Sequence, residues 1–146
     1  MVEQLTQQLI DFLQGERLVT LITTDKDTGR PAASTVSWLI AKEDGKTIKL
    51  ALGHKGSSVD NMLNNPLVVL NVIGPESSHE IVGKAEVSDI KSGTMKFRVV
   101  TITIESIEEN MFYGGKVTTV PAYTKTYDPD LAKKIDNEIY GELKSE

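Results

Sequence analysis

The sequence predicts a mainly β fold, a small antiparallel β-barrel with flanking helices. Six stretches rich in β-branched residues follow one another along the chain with mostly short connections between them. Consecutive strands joined by short turns pair in antiparallel fashion. Six strands in a chain of 146 residues favour a closed or partly closed barrel, because closure removes exposed sheet edges. We expect one domain over residues 1–146, since the sequence shows no linker and no internal repeat.

The first half of the chain is predicted to form a helix followed by three strands. Within residues 2–14, Leu5, Leu9 and Leu13 fall on one helical face, and Gly15 is suited to end the helix. The β-branched stretches and turn sequences that follow predict strands over residues 18–24, 34–41 and 47–52. The Asp-Gly pair in the turn between the second and third strands is a strong β-hairpin signal. Alternation predicts that Val36, Trp38 and Ile40 of the second strand point to one side.

The second half is predicted to contain a short helix, three strands, a loop and a closing helix. The short helix covers residues 57–64, and the strands cover residues 67–73, 80–87 and 97–107. Residues 67–73 are almost continuously apolar, which is typical of a strand covered on both faces. Residues 113–127 show no periodicity and are expected to form a loop. Asp128 and Pro129 are a suitable N-cap and first residue for the closing helix.

Composition excludes several classes of function. The chain has no cysteine, which rules out a disulfide framework, a thiolate nucleophile and an iron–sulfur site. Its two histidines, His54 and His79, fall in no metal-ligand or hydrolase motif, so no metal site is expected. A net charge of −5 and 5% aromatic residues argue against nucleic-acid binding. No apolar run approaches the about 20 residues that a membrane span needs, and a cytoplasmic location is expected.

The loop GHKGSS at residues 53–58 combines groups that bind phosphate. Gly53 and Gly56 allow close approach of the backbone, and Lys55 supplies positive charge. Ser57 and Ser58 offer hydroxyl and N–H groups at a helix start, where the helix dipole favours an anion. The structural alternative is that Ser57 or Ser58 caps the helix and Lys55 is only solvated. The residues of this loop alone leave both interpretations open.

A wider pattern resembles a known family. The segments GRPAASTVSWLIAKEDGKTIKLALGHKGSSVDNMLNNPLVVLNVI and IVGKAEV occur in an order similar to that of the pyridoxamine-5′-phosphate-oxidase-like, FMN-binding split-barrel family. The chain looks most like its small general-stress-protein type. The resemblance is good over residues 16–87 and looser over 97–112. It implies a split barrel of antiparallel strands that forms a homodimer, with FMN in the cleft between the subunits.

The resemblance also implies which residues hold FMN. The phosphate maps to the third strand and the following helix, at Ala51, Gly53, Lys55, Ser57, Ser58 and Asn61. The flavin ring maps to the second strand, at Thr35, Val36 and Ser37. For Asn61, a phosphate contact and a solvent-facing position both remain open. Related proteins commonly carry Arg-Lys where this chain has Ser57-Ser58, so two cations that would pair with the phosphate are missing.

The implied function is an FMN-dependent oxidoreductase that acts on an unknown small molecule. The alternative is a non-catalytic flavin-binding or stress-response protein that sequesters or senses a cofactor. The sequence assigns no catalytic side chain, and hydride transfer to a flavin does not need one. True pyridoxamine-phosphate oxidase activity is not expected, because the C-terminal region shows no match to that enzyme's Arg-x-His substrate motif. Outside the predicted site, Arg98 is expected to pair with a surface acid.

Overall fold

Eight strands form one antiparallel sheet in the part of the chain that the computed structural model describes, residues 2–145. The strands are β1 (Val19–Thr24), β2 (Pro31–Val36), β3 (Leu39–Ala41), β4 (Thr47–Gly53), β5 (Leu67–Ile73), β6 (Ser78–Val87), β7 (Lys91–Ser92) and β8 (Lys96–Glu109). The helices are α1 (Gln7–Phe12), α2 (Ser57–Asn64) and α3 (Pro129–Lys144). The predicted mainly β fold with flanking helices is confirmed.

The sheet curves into a half-barrel that stays open between β2 and β3. Its strand order is β2-β1-β5-β6-β8-β4-β3, and the short β7 pairs with β8. β2 and β3 are neighbours in the chain but lie at opposite ends of this order. Ser37 and Trp38 are the residues that connect them. The opening of the barrel therefore lies where the chain passes through Ser37 and Trp38.

The single strand predicted over residues 34–41 is wrong, because the chain changes pairing partner in its middle. β2 pairs with β1, whereas β3 pairs with β4. The change breaks the side-chain alternation, so the predicted common side for three residues is also wrong. Val36 belongs to the main core inside the half-barrel, whereas Ile40 packs under α3 with Trp38 beside it.

Two apolar clusters hold the structure together. The larger one fills the half-barrel between the inner faces of the strands and α1. The smaller one lies between α3 and the outer face of β4 and β8, where Ile139 and Leu143 are fully buried near Phe97. Burial of one such aliphatic side chain contributes roughly 2 kcal/mol. The second cluster thus attaches α3 to the barrel wall beside the opening.

Most predicted elements are confirmed, with differences at their ends. α2 and β5 have the predicted bounds, and Asp128 caps α3 by accepting a hydrogen bond from the Asp130 N–H. α1 is shorter than predicted, because Thr6 caps its start by accepting a hydrogen bond from the Leu9 N–H, and Leu5 before it pairs with Gly45. β5 is covered on one face only in the single chain, with Leu67 48% exposed and Ile73 41% exposed. Among residues 2–145, no helix is long and apolar enough to cross a membrane.

Candidate functional site

A cleft runs beside the opening of the half-barrel, between β2 and β4. It consists of two adjoining cavities, of about 250 Å³ next to α2 and about 400 Å³ next to residues 123–127. The two cavities share lining residues on β2 and β4, namely Thr35, Val36, Leu52 and Gly53. We call them the helix-end cavity and the strap-end cavity. The cleft lies where the sequence places its candidate residues.

The helix-end cavity is lined by the start of α2 and the loop before it. Gly56 is the N-cap of α2, and no side chain among the described residues caps this helix. The alternative in which Ser57 or Ser58 caps the helix is therefore wrong. The first-turn N–H groups of Ser57, Ser58 and Val59 remain available beside the cavity that these residues line. An uncapped helix start of this kind favours an anion.

The loop that carries Lys55 is held by an arginine. Arg98 on β8 donates from Nε to the carbonyl oxygen of His54 at 3.2 Å and from Nη1 to that of Ser88 at 3.1 Å. The expected ion pair between Arg98 and a surface acid is wrong. Arg98 fixes the backbone just before Lys55 instead. The side chain of Lys55 is exposed and makes no ion pair or hydrogen bond within residues 2–145.

The strap-end cavity brings together the residues predicted for the flavin ring. Thr35, Val36 and Ser37 line it from one side. Ala51 lines it from β4, although the sequence analysis assigns this residue to the phosphate, and it does not line the helix-end cavity. The Ala51 N–H donates to the carbonyl oxygen of Trp38 at 2.9 Å, which holds the two sides together next to the opening. The indole of Trp38 also lines this cavity.

Asn61 is the one predicted site residue that lines neither cavity. Its side chain is 2% exposed, donates to the Thr23 hydroxyl at 3.0 Å and accepts from the Lys26 N–H at 3.0 Å. The alternative that Asn61 faces solvent is therefore wrong. Its amide joins α2 to β1 and to the turn that follows β1.

The far wall of the cleft is a segment that the sequence analysis treats only as a loop. Residues 118–127, which we call the strap, have no backbone hydrogen bond to any described residue. Side chains fasten the strap instead: Tyr123 donates a hydrogen bond to Glu16, and Lys125 forms ion pairs with Asp136 at 3.1 Å and Glu16 at 3.8 Å. Because this segment has no periodicity, the sequence does not predict that it lines the cleft. Its two tyrosines and one lysine are the only signal of such a role.

Lys125 is the only charged residue that lines the strap-end cavity, as Lys55 is in the helix-end cavity. Burial lowers the pKa of Lys125, but the hydrogen bond to Asp136 and the nearby Tyr123 and Glu16 outweigh this effect and raise it. Lys125 therefore stays protonated at neutral pH. Its ammonium lies 5.8 Å from the ring centre of Trp38, whose Nε1 donates to Asp136 at 2.9 Å. The lining of the described cleft thus contains two lysines and no carboxylate.

Comparison with known families gives one match that covers most of the chain. The family model described as pyridoxamine 5′-phosphate oxidase matches residues 5–110. The matched region includes β2, β4 and α2 but not the strap or α3. No curated protein matches the sequence at a significant level.

Solved structures share the fold at low sequence identity. A protein from Lactobacillus delbrueckii, provisionally described as a pyridoxamine 5′-phosphate oxidase, is 19% identical, with a TM-score of 0.63 over 73% of this chain and 95% of that one. General Stress Protein 26 from Bacillus anthracis is 14% identical, with a TM-score of 0.57 over 73% of this chain and 97% of that one. HutZ, described as the heme storage protein from Vibrio cholerae, is 16% identical, with a TM-score of 0.56 over 74% of this chain and 96% of that one.

Proposed function

Because the chain belongs to the pyridoxamine 5′-phosphate oxidase family, we propose that it binds FMN in the cleft and acts as an FMN-dependent oxidoreductase on a small molecule. The observation that carries this proposal is the helix-end cavity. An uncapped helix start, Lys55 and two serines meet there, all within the region that the family model matches.

The helix-end cavity fits a phosphate group. The N–H groups of the first turn of α2 can donate to phosphate oxygens, and the helix dipole adds to the attraction. Lys55 adds one charge-assisted contact, which is roughly twice as strong as a neutral hydrogen bond. In place of the two cations common in related proteins, Ser57 offers a hydroxyl that is unengaged within residues 2–145 and Ser58 a hydroxyl that is already bonded to that of Ser34. We therefore expect FMN to bind, but more weakly than in a relative with a basic pair.

The strap-end cavity fits a planar ring with polar edges. The backbone groups around Thr35, Val36 and Ser37 can meet such an edge, while Trp38 and Ala51 supply apolar surface. FMN supplies the redox chemistry when it is bound, and the protein binds and orients it. The residues that line the described cleft include no carboxylate or imidazole, and their only titratable side chains are Lys55, Lys125, Tyr123 and Tyr127.

We propose that the protein works as a homodimer with the cleft at the subunit interface. The outer face of the sheet supports a dimer, since Ile22, Val69 and Val82 pair across β1, β5 and β6 to form an apolar row, whereas the place of the cleft at the interface rests on the family resemblance. Leu67 and Ile73 extend the apolar surface of β5 with exposed side chains. Partner binding to this face would cover both sides of β5, as its apolar sequence predicts. A cytoplasmic location remains our prediction from the sequence.

The second candidate is binding without turnover, in which the protein sequesters or senses a cofactor. It is favoured by the single free cation at the helix end and by the fold shared with a heme storage protein. Haem finds few axial ligands in the cleft, because no His, Cys or Met lines it and Tyr123 and Tyr127 are its only residues of a type that ligates haem iron.

The first experiment measures flavin affinity by fluorescence quenching on titration. We expect Lys55→Glu to weaken FMN about tenfold or more while riboflavin binding changes little, because only FMN carries the phosphate. Lys46→Glu makes the same charge change in an exposed hairpin turn outside the cleft and is the matched control. Equal weakening of both ligands would remove the phosphate assignment, and no quenching by either flavin would remove the FMN proposal.

Further measurements separate the two candidate functions. Reduction of the bound flavin by NADH or NADPH supports the oxidoreductase, whereas no reduction by a range of donors supports the binding role. A haem titration followed by the Soret band measures haem affinity. Tighter binding of haem than of FMN would identify haem as the ligand instead. Light scattering tests the dimer, and a monomer in the presence of FMN would contradict it.

A further inference from the structure

A larger cavity of about 720 Å³ lies behind the strap, between the strap and α3. It shares Tyr123, Lys125 and Tyr127 with the strap-end cavity, so the strap is a common wall. Apart from Glu16 and Arg17, its lining comes from residues after 110, outside the region matched by the family model. This cavity is therefore a feature of the C-terminal part of the chain. We call it the tyrosine cavity.

Aromatic and aliphatic groups make up much of its wall. Three tyrosines line it, Tyr123, Tyr127 and Tyr140. The remaining apolar lining is Val120, Pro121, Ala122, Pro129 and Ala132. Aromatic walls favour a planar ring through stacked or edge-to-face contacts.

The carboxylates of the cavity are already paired. Glu16 accepts a hydrogen bond from Tyr123, and both Glu16 and Asp136 form ion pairs with Lys125. Asp136 also accepts from the indole of Trp38. Asp136 thus holds the strap to α3 and Glu16 holds it to the segment before β1, which leaves both acids poorly placed to attract a cation.

Several donors of the cavity are not engaged. Lys133, Asn137 and the hydroxyl of Tyr127 make no hydrogen bond or ion pair with the part of the chain that the structure describes. Arg17 adds a second cation, but it is partly engaged, because it stacks on the Phe12 ring at 4.1 Å and its Nε donates to the Phe12 carbonyl oxygen at 3.2 Å. The lining carries three cations and two carboxylates in all. The free groups are an ammonium, an amide and a phenol. Each can donate a hydrogen bond, and together they suit a carboxylate, which accepts hydrogen bonds and carries negative charge.

We propose that the tyrosine cavity is a second ligand site, and that it binds a small aromatic carboxylate. The ring of the ligand lies against the tyrosines, and its carboxylate accepts hydrogen bonds from Lys133 and its free neighbours. Lys133 is exposed, so its ion pair with a ligand is screened by salt and contributes modestly. We expect weak, salt-dependent binding. The site requires no flavin, and its existence is independent of the function proposed above.

The test is a titration of the flavin-free full-length protein with benzoate, followed by amide chemical shifts in two-dimensional NMR. We expect saturable shifts confined to residues 16–17 and 120–140, and weaker binding of benzamide, which has the same shape without the charge. Lys133→Glu should weaken benzoate binding about fivefold. Lys134→Glu is the matched control, because it makes the same charge change on the next residue of α3, which does not line the cavity.

Each outcome decides the proposal. Shifts at 16–17 and 120–140 that are reduced by Lys133→Glu and not by Lys134→Glu support the site. Absence of saturable shifts, equal binding of benzamide, or equal loss in both variants overturns it. Tyr127→Leu provides a second check, since it keeps an apolar side chain but removes the ring and the free hydroxyl, and unchanged benzoate affinity in this variant counts against the proposed stacking.

Discussion

The hydroxyl oxygens of Ser34 and Ser58 lie 3.1 Å apart and connect β2 to the first turn of α2. Both residues line the helix-end cavity. The hydrogen bond engages the hydroxyl of Ser58 within the protein, whereas the neighbouring Ser57 is exposed and makes no such bond. Ser57 is therefore the position where a longer side chain can enter the cavity without breaking a contact of the cleft.

The first prediction follows from that difference. Ser57→Arg should tighten FMN binding about tenfold, because it restores one of the cations common in related proteins and adds a charge-assisted hydrogen bond. Riboflavin affinity should stay unchanged, since riboflavin lacks the phosphate. Fluorescence titrations with both ligands measure the effect. A gain of equal size for the two flavins would show that the arginine acts elsewhere than on the phosphate.

The second prediction concerns the buried amide of Asn61. Asn61→Ala should lower the free energy of unfolding by about 2 kcal/mol, because it leaves the Thr23 hydroxyl and the Lys26 N–H without their partner. Urea denaturation measures this loss. Asn64→Ala, at an exposed position of the same helix, is the control and should change stability by less than about 0.5 kcal/mol.

The same variant tests the role of Asn61 in the site. Since its side chain lines neither cavity, Asn61→Ala should leave the ratio of FMN to riboflavin affinity unchanged. A selective loss of FMN affinity would instead support the phosphate contact that the family resemblance implies.

The third prediction compares two glycines. A Cβ on Gly83 would lie 2.6 Å from the Thr103 carbonyl oxygen and 2.8 Å from a methyl group of Ile102. Gly83 stands where the pairing of β6 with β8 shifts register. Gly83→Ala should therefore cost about 2 kcal/mol or more of unfolding free energy.

Gly141 provides the opposite case on α3. A Cβ there meets nothing within 4 Å, and the residue is inside a helix. Gly141→Ala should raise the unfolding free energy by up to about 1 kcal/mol, because alanine is the better helix former. Thermal denaturation of both variants measures the pair. Similar losses in the two would show that glycine is required for a reason other than space.

The fourth prediction is a pH dependence at His79. Burial lowers the pKa of His79 below its usual 6.5 and outweighs the opposite influence of Glu109. The unfolded chain therefore binds a proton more readily than the folded one. The stability that neutral His79 provides is complete above about pH 6.5 and is lost as the pH falls through the lower, folded-state pKa.

Urea denaturation at pH 7.5 and pH 5.5 measures this dependence. We expect His79→Gln to lose less stability than the natural sequence between the two values, because glutamine does not titrate. An NMR titration of the folded protein gives the pKa directly. A folded-state pKa above 6.5 would reverse the sign of the effect and contradict the prediction.

Local signals in the sequence predict much of the fold. β-Branched stretches, the Asp-Gly hairpin turn and the Asp128-Pro129 helix start each act over a few residues, and the structure confirms the elements they predict. The break between β2 and β3 is not predictable in this way. It depends on which distant strand each half joins, and a β-branched stretch is compatible with either partner.

The candidate site shows the same division. Thr35, Gly53, Lys55 and Ser58 lie together in the cleft because they belong to strand ends and a helix start whose places the family pattern fixes. The cap at Gly56 and the burial of Asn61 depend on backbone angles and on a turn that comes from another part of the chain. Lys125 reaches the cleft through ion pairs with Glu16 and Asp136, far apart in the sequence, and no local pattern encodes that arrangement.

The strap is attached to the rest of the described chain by side chains and not by backbone hydrogen bonds, so its residues can be substituted without disturbing the sheet. Replacement of strap residues breaks no ladder of the barrel, provided that Tyr123 and Lys125 keep their hold on Glu16 and Asp136. The sheet thus determines the fold, whereas the strap supplies the wall shared by the strap-end cavity and the tyrosine cavity. Randomising positions 122, 124 and 126, which line the two cavities, would sample new ligand preferences on a constant scaffold, in the way that variable loops do on an antibody framework.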